Sequence, residues 1–343
     1  MSPSTSPSKH FLSPFPSLRL NNLLNHGGQA FIVAFPGGVV LKCPIRWALD
    51  DCLPAQARKG AEIEERVATE SMSTEKQILS LIDHKPHPNI LQALMVVPEG
   101  IFFPRMCSTL DDRVVGFRDL HYPECYTSEP LKLQWIGQII SAAVWLESLG
   151  FVHGDLTPRN LLLDRRDNIK LTDFGESVRI GGWSQCGAPP HVPWVFETRD
   201  HRSEQYAIGW TIHDIYCGLP ADFEGPDDFD EWDRVRFPAV GDLPVGRIIQ
   251  RCWHLQYGSL SALESDFRQL YAASCPWYSR LIMWTRSFWG LFLDHCHSWM
   301  LRKKCRHVYT TLLEHDPSCG LLDYSLSVEE MPKPLSRDPK YDL

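Results

Sequence analysis

The segment 151–176, FVHGDLTPRNLLLDRRDNIKLTDFGE, constrains the chain more than any other. Three oxygen-bearing side chains stand in it at fixed intervals: Asp155, then Asn160 five residues on, then Asp173 thirteen further. Apolar residues bracket them, with Phe151 and Val152 before and Leu161 to Leu163 after. Two carboxylates and an amide embedded among apolar residues read as a site rather than a solvated surface, because burial of such groups is costly unless they have work to do.

Length and composition set the frame for that site. At 343 residues the chain has room for one large two-lobed domain or two ordinary ones. Hydrophobic residues make up 43% and charged residues 22%, which predicts a well-packed globular core. A net charge of -8 argues against an electrostatic footprint for nucleic acid, and no Lys/Arg run suggests one locally. Eleven cysteines, an odd number without CxxC pairs, read as reduced thiols. With no signal-peptide pattern at the N-terminus, a cytoplasmic or nuclear protein is expected. Residues 1–19 are rich in Ser and Pro and are expected to be a disordered leader, with Ser2, Ser6 and Ser13 each before proline as candidate sites for proline-directed kinases.

Periodicity orders the rest. AFIVAF, PGG and VVLKC predict strand, tight turn and strand, and residues 44–60 read as irregular. A helix is predicted over about Ala61 to Ile82, ended by Pro86 and Pro88. LQALMVV and GIFFPRM read as a hairpin pair. The run from Pro130 to Leu149 places Leu133, Ile136, Ile140, Ala143 and Val144 on one helical face, with Gly150 as its stop. SEQYAIGWTIHDIYCG, from 203 to 218, is apolar on most sides and predicts a buried helix; VGRIIQRCW and LSALESDFRQLYAA predict two more.

The order Lys42 in VVLK, Glu75 in TEKQIL, Asp155 and Asn160 in HGDLTPRN and Asp173 in DFG resembles the eukaryotic-type protein kinase superfamily, in the manner of a divergent kinase-like group common in fungi. The resemblance runs from about Leu20 to Ala273 and includes HPNI, SEQYAIG and RCW. It implies an α+β, two-lobed fold: a small β-rich N-lobe (20–107) with one long helix, and a larger, mainly helical C-lobe (108–273). It also implies ATP and Mg²⁺ as cofactors. Lys42 is then the lysine on the phosphates, and Glu75 its ion-pair partner in preference to Glu70. Asp155 is the base at the acceptor hydroxyl, and Asn160 and Asp173 are the metal ligands. Val40 and Leu162 would cover the adenine, Gly27 and Gly28 would approach the phosphates, and His153 and Leu79 would pack against Phe174.

Departures from the family pattern are equally specific. NHGGQAFIVAF lacks a full G-x-G-x-x-G, and no A-P-E follows GAPPHVPWVFE. Gly154 and Thr157 replace the usual Arg and Lys. Arg159 would restore a cation in the way a tyrosine-kinase loop does, or simply be solvated. Glu204 stands where the family has the Asp that braces the catalytic loop. Gly154 cannot capture a phosphate, so control by phosphorylation of the segment 176–193 is not expected.

Residues 274–343 lie beyond the resemblance, as an aromatic-rich extension with a disordered tail. Its longest uncharged run is far short of a membrane span, so no transmembrane segment is expected. A helix packed on the C-lobe is the favoured reading, and a helix that binds a partner is the alternative. The scattered His295, Cys296, His297, Cys305 and His307 lack the paired spacing of a zinc site. The function expected from the whole is transfer of the γ-phosphoryl group of ATP to Ser or Thr of a protein substrate. The alternatives are a pseudokinase binding scaffold and a small-molecule phosphotransferase of the aminoglycoside or choline type.

Overall fold

The structure, a computed structural model, describes residues 10–15, 23–48, 54–119, 127–184, 190–191, 196–217, 236–274 and 297–314. Backbone contacts divide the chain into a smaller unit, Met1–Gln77, Ala93–Arg105 and Leu293–Leu343, and a larger one, Ile78–Gln92 and Met106–Phe292. The fold is mixed α/β, with a β-rich N-terminal sheet and a helical region.

The smaller unit holds strands β1 (His10–Phe11), β2 (Leu23–His26), β3 (Ala30–Phe35), β4 (Val39–Pro44), β5 (Trp47–Ala48), β6 (Met95–Val97) and β7 (Gly100–Pro104). Five of them form an antiparallel sheet in the order β2-β3-β4-β7-β6. The predicted turn joins β3 to β4, and Gly37 and Gly38 take the positive φ of 89° and 81° that it requires. Strand alternation sends Phe31, Val33 and Phe35 of β3, Val39, Leu41 and Cys43 of β4, and Phe102 of β7 into one core. Val40 and Lys42 therefore stand on the opposite face of β4, level with Ala34 and Ile32 of β3.

That core is closed by two further segments. A helix over 297–314 presents Leu301, Cys305, Val308, Tyr309 and Leu312, a helical spacing, to the sheet. Its Tyr309 ring lies 6.2 Å from both Phe102 and Phe15, and its hydroxyl donates to Glu99 Oε2 at 3.2 Å. The aromatic segment 275–300 expected to pack on the C-lobe lies outside the described residues up to 296, as do residues 315–343. The leader is corrected: β1 pairs with β5, and Phe15 is buried in the core, so residues 10–15 gain order from tertiary contacts that composition cannot signal. Ser2 and Ser6 lie outside the described residues.

Helix α1 spans Ala55–His84, six residues longer at its start than predicted. Arg58 N–H donates to the Pro54 carbonyl, and the Ala, Gln, Arg and Lys of its first turns favour helix enough to carry Gly60.

The larger unit contains strands β8 (Ser108–Thr109), β9 (Phe151–Val152), β10 (Leu161–Leu163), β11 (Ile169–Leu171), β12 (Val178–Arg179), β13 (Gly182–Trp183) and β14 (Thr198–Arg199). Its helices are α2 (Leu110–Asp119), α3 (Glu129–Ser148), α4 (His201–Cys217), α5 (Gly246–Trp253) and α6 (Leu260–Ser274). Trp135, Ile139, Ala142 and Leu146 join the predicted face of α3 in burial, while Val144 is only half-buried. Gly150, at φ 82°, follows the helix end as expected. Every residue of α4 from Ser203 to Ile215 is buried. Asp266 of α6 ties α5 and the following turn together by accepting from Arg247, Arg251 and the Tyr257 hydroxyl. No helix among the described residues is long and apolar enough to cross a membrane.

Candidate active site

The sequence-predicted residues fall into two sets, one in each unit. In the smaller unit, Lys42 Nζ meets Glu75 Oε2 at 2.7 Å, with the two side chains only 11% and 1% exposed. The register of β4 and the course of α1 bring them together across 33 residues. Glu70 is exposed, so the choice between the two glutamates resolves to Glu75. Val40, two residues before Lys42, shares its face of the strand and is buried. Gly27 and Gly28 form the exposed turn between β2 and β3, where Gly27 N–H donates to the Ala30 carbonyl.

In the larger unit the spacing of five and thirteen residues has a structural cause. Strands β10 and β11 pair antiparallel with Leu161 opposite Leu171, which puts Asn160 and the residues after Leu171 at the same end of the hairpin. Thr172 N–H donates to the Asn160 carbonyl at 3.0 Å and fixes that end. Leu161 and Leu163 point into the core, so Leu162 takes the other face and stays half-buried. Pairing of β9 with β12, Val152 opposite Val178, brackets the loop 153–160 from its other side.

Within that loop the Asn160 amide donates to both the carbonyl and the Oδ2 of Asp155, each at 2.8 Å. Asp155 N–H donates to His153 Nδ1 at 3.3 Å, and His153 Nε2 faces the Thr172 carbonyl at 2.9 Å. The His153 ring packs edge-on to Phe174 at 5.3 Å, the packing role expected of it. Asp173 takes the left-handed conformation, φ 65°, which a short polar side chain tolerates better than an apolar one. Leu79 and Phe174 are both buried in this unit.

Glu204 does brace the loop: its Oε1 accepts the Gly154 N–H at 2.9 Å. Burial pushes the Glu204 carboxyl above its ordinary value, opposed by His153 and by the bond from Gly154. Gly154 is more than a missing arginine. It holds φ 81°, and a Cβ there would lie 2.5 Å from the Glu176 carbonyl oxygen. The loop passes too close to its neighbour for any side chain. Arg159 is 79% exposed, and its Nε lies 3.7 Å from Asp111 Oδ2 at the start of α2. Burial raises the Asp111 carboxyl, and Arg159 opposes that rise.

Three supports were not legible from motifs. Ser177 Oγ donates to the His153 carbonyl at 3.2 Å, and Thr211 Oγ1 to the Leu156 carbonyl at 3.4 Å. His191 Nε2 meets Asp214 Oδ2 of α4 at 2.8 Å, with both groups buried. Each joins residues more than twenty positions apart, a distance over which a single sequence carries no pairing signal. Among the described residues no cluster of three or more His, Cys, Asp or Glu would hold a metal by itself.

Comparison with known proteins agrees with this geometry. Residues 54–220 match the family model described as protein kinase domain. A cAMP-dependent protein kinase catalytic subunit of Dictyostelium discoideum is 28% identical over 195 residues, 53% of this chain and 29% of that protein. The cAMP-dependent protein kinase catalytic subunit 3 of Drosophila melanogaster is 32% identical over 124 residues, 32% of this chain and 21% of the relative. The human receptor tyrosine-protein kinase erbB-4 is 27% identical over 160 residues, 41% of this chain and 12% of the relative. The chain thus spans less than a third of the length of these curated relatives. Over residues 54–220, within a mixed α/β fold, the chain is thus similar to protein kinase domains.

Proposed function

We propose that the protein is an ATP- and Mg²⁺-dependent protein kinase that transfers the γ-phosphoryl group to Ser or Thr of a protein substrate. The smaller unit is its N-lobe and the larger its C-lobe. The observation that carries this reading is the buried pair of Lys42 and Glu75 at 2.7 Å. Taking two charges out of water costs several kcal/mol per ion, and apolar residues of the same volume are often as stable. A pair kept under that penalty fits a lysine held ready for phosphate oxygens.

The donor set in the C-lobe fits Mg²⁺. Asn160 spends its amide hydrogens on Asp155, which leaves its carbonyl oxygen as the atom for a metal. With the Asp173 carboxylate this makes two hard oxygen donors, and Mg²⁺ commonly takes one or two such ligands and completes its shell with water and phosphate. When bound, Mg²⁺ would neutralise charge on the phosphate oxygens.

Asp155 does the work at the acceptor. Asn160 holds one of its oxygens, and Glu204 holds the backbone just before it, so the carboxylate can orient the acceptor hydroxyl and take its proton. The hydroxyl oxygen bonds to the γ-phosphorus as the bond to ADP breaks, and Lys42 stays on the nucleotide phosphates. The relatives' names include both cAMP-dependent kinases and a tyrosine kinase.

A pseudokinase is the second reading, and the β2–β3 turn favours it: Gly27 and Gly28 are exposed, and neither takes the positive φ that would make glycine necessary there. The deciding measurement is transfer from radiolabelled ATP to a panel of protein and small-molecule acceptors. Asp155→Asn should bind ATP as the wild type does and transfer about 100-fold more slowly or worse. Wild type that binds Mg-ATP yet labels nothing above that variant would establish the scaffold.

A further inference from the structure

We propose that Ser13 is a phosphorylation site for a proline-directed kinase, and that its phosphate unseats Phe15 from the core of the smaller unit. Ser13 precedes Pro14, and it is the member of the three Ser-Pro pairs that lies within the described residues. Residues before it are tied down: His10 and Phe11 pair with Ala48 and Trp47, and Leu12 N–H donates to the Arg46 carbonyl at 2.8 Å. The Ser13 hydroxyl then closes a turn over the proline. It donates to the Phe15 carbonyl at 2.7 Å and accepts the Phe15 N–H at 3.3 Å.

This turn aims an anchor. Phe15 is 3% exposed, and its ring meets Tyr309 of the helix 297–314 nearly at right angles. Phe15, Leu301, Cys305 and Leu312 belong to one apolar cluster with the sheet. A single hydroxyl thus orients a residue that helps hold the C-terminal helix to the sheet.

Phosphorylation destroys that arrangement by simple chemistry. The kinase joins Ser13 Oγ to the γ-phosphorus of ATP, ADP leaves, and the hydroxyl proton passes to the base of that kinase. The ester oxygen then has no hydrogen to donate to Phe15, and a group of nearly two negative charges is placed beside a carbonyl oxygen that now lies 2.7 Å from Oγ. The backbone must turn away, and Phe15 goes with it. Ser13 is half-buried next to strands of only two residues each, the kind of chain end that opens locally and admits an enzyme.

The test uses the full chain, a purified proline-directed kinase and ATP, with site mapping by mass spectrometry and hydrogen exchange before and after. Phosphate should appear on Ser13 and be absent from that position in Ser13→Ala. Exchange in 297–314 should rise about tenfold on phosphorylation, equivalent to about 1.4 kcal/mol of lost protection, while α6 is unchanged. Unmodified Phe15→Ala should show the same rise. Wild type that carries no phosphate on Ser13 overturns the proposal. So does a phosphorylated protein whose helix exchanges at the old rate or more slowly, as it would if the phosphate paired with Arg46.

Discussion

The two sets of candidate residues, one in each unit, are built on opposite principles. Lys42 and Glu75 sit on a six-residue strand and a 30-residue helix, and their side chains pair in a buried environment. Asp155, Asn160 and Asp173 sit on the loops and single 3-10 turns around 158–160 and 174–176, held by backbone bonds, the β10–β11 hairpin, the β9–β12 strand pair and Glu204. The first set is stable because a charge pair is intact; the second is stable because the chain has no room to move. Substitution should therefore damage the first through electrostatics and the second through backbone fit.

The sharpest break of that contrast is Lys42→Met. It removes the ammonium that pairs with the buried Glu75 carboxylate, and loss of one partner of such a pair costs about 3–5 kcal/mol. Phosphotransfer should fall at least about 100-fold as well. Adding Glu75→Leu should recover most of the stability and none of the activity, because an apolar pair of similar volume is tolerated where a lone charge is not. Chemical denaturation of the single and double variants measures this. A double variant no more stable than the single would show that the pair is not the main term.

A second variant probes the C-lobe set without disturbing its backbone. Asp173→Asn keeps size and shape but loses the charge that Mg²⁺ needs. Wild type should gain about 2.7 kcal/mol of stability at a hundredfold excess of Mg-ATP over its dissociation constant, read as a thermal shift. The variant should show a small response that is equal with and without Mg²⁺. An equal Mg²⁺-dependent shift in both proteins would remove Asp173 from the metal assignment.

What was legible in the sequence follows the same divide. Strand alternation in AFIVAF, the PGG turn and the buried α4 were readable because one periodic face or one turn residue determines each. Glu75 emerged over Glu70 only once α1 and β4 were placed, since both glutamates lie on the same helix. The role of Gly154 was half-read: the missing arginine was visible, but the approach of the Glu176 carbonyl was not. The burial of Phe15 and the helix 297–314 was not legible, because their partners lie on a sheet distant in sequence.

Glycine makes the third comparison, between the two units. A Cβ added to Gly60 in α1 would meet no heavy atom within 4 Å, and the residue does not take a positive φ. Gly60→Ala should stabilise by about 0.5–1 kcal/mol, the helix preference of alanine over glycine. Gly154→Ala should destabilise by about 2–3 kcal/mol, from the left-handed conformation and the contact with Glu176. Gly154→Arg should do no better, so the family's usual residue does not restore itself here. Equal shifts of the same sign in urea unfolding would refute the idea that backbone fit governs the loop.

The last expected effect is one of pH, and it acts within the larger unit. His87 opens the segment that lies against β11: its Nδ1 accepts the Asn89 N–H at 3.2 Å, and Asn89 in turn accepts from Leu171 and donates to the Ile169 carbonyl. Its ring also stacks on Trp145 and faces Ser141 Oγ at 3.3 Å. Burial, helped by Lys170, lowers its pKa from 6.5 to about 4. Above pH 6.5 the ring is neutral in both folded and unfolded chains, so it has no effect on stability. As pH falls from 6.5 towards 4 the unfolded chain binds a proton that the folded ring refuses, and stability declines until the folded ring titrates too. The loss should be on the order of 1–2 kcal/mol, since the ring is partly solvated and screened. Protonation places a hydrogen on Nδ1, which ends its bond from Asn89 and loosens the strand that leads to Asp173. After division by the intrinsic rate at each pH, protection at Leu171 should therefore fall over this range in wild type and stay level in His87→Gln, while the amides of β4 beside Lys42 follow the same course in both proteins. Parallel acid profiles at Leu171 in the two proteins would mean that another group carries the response.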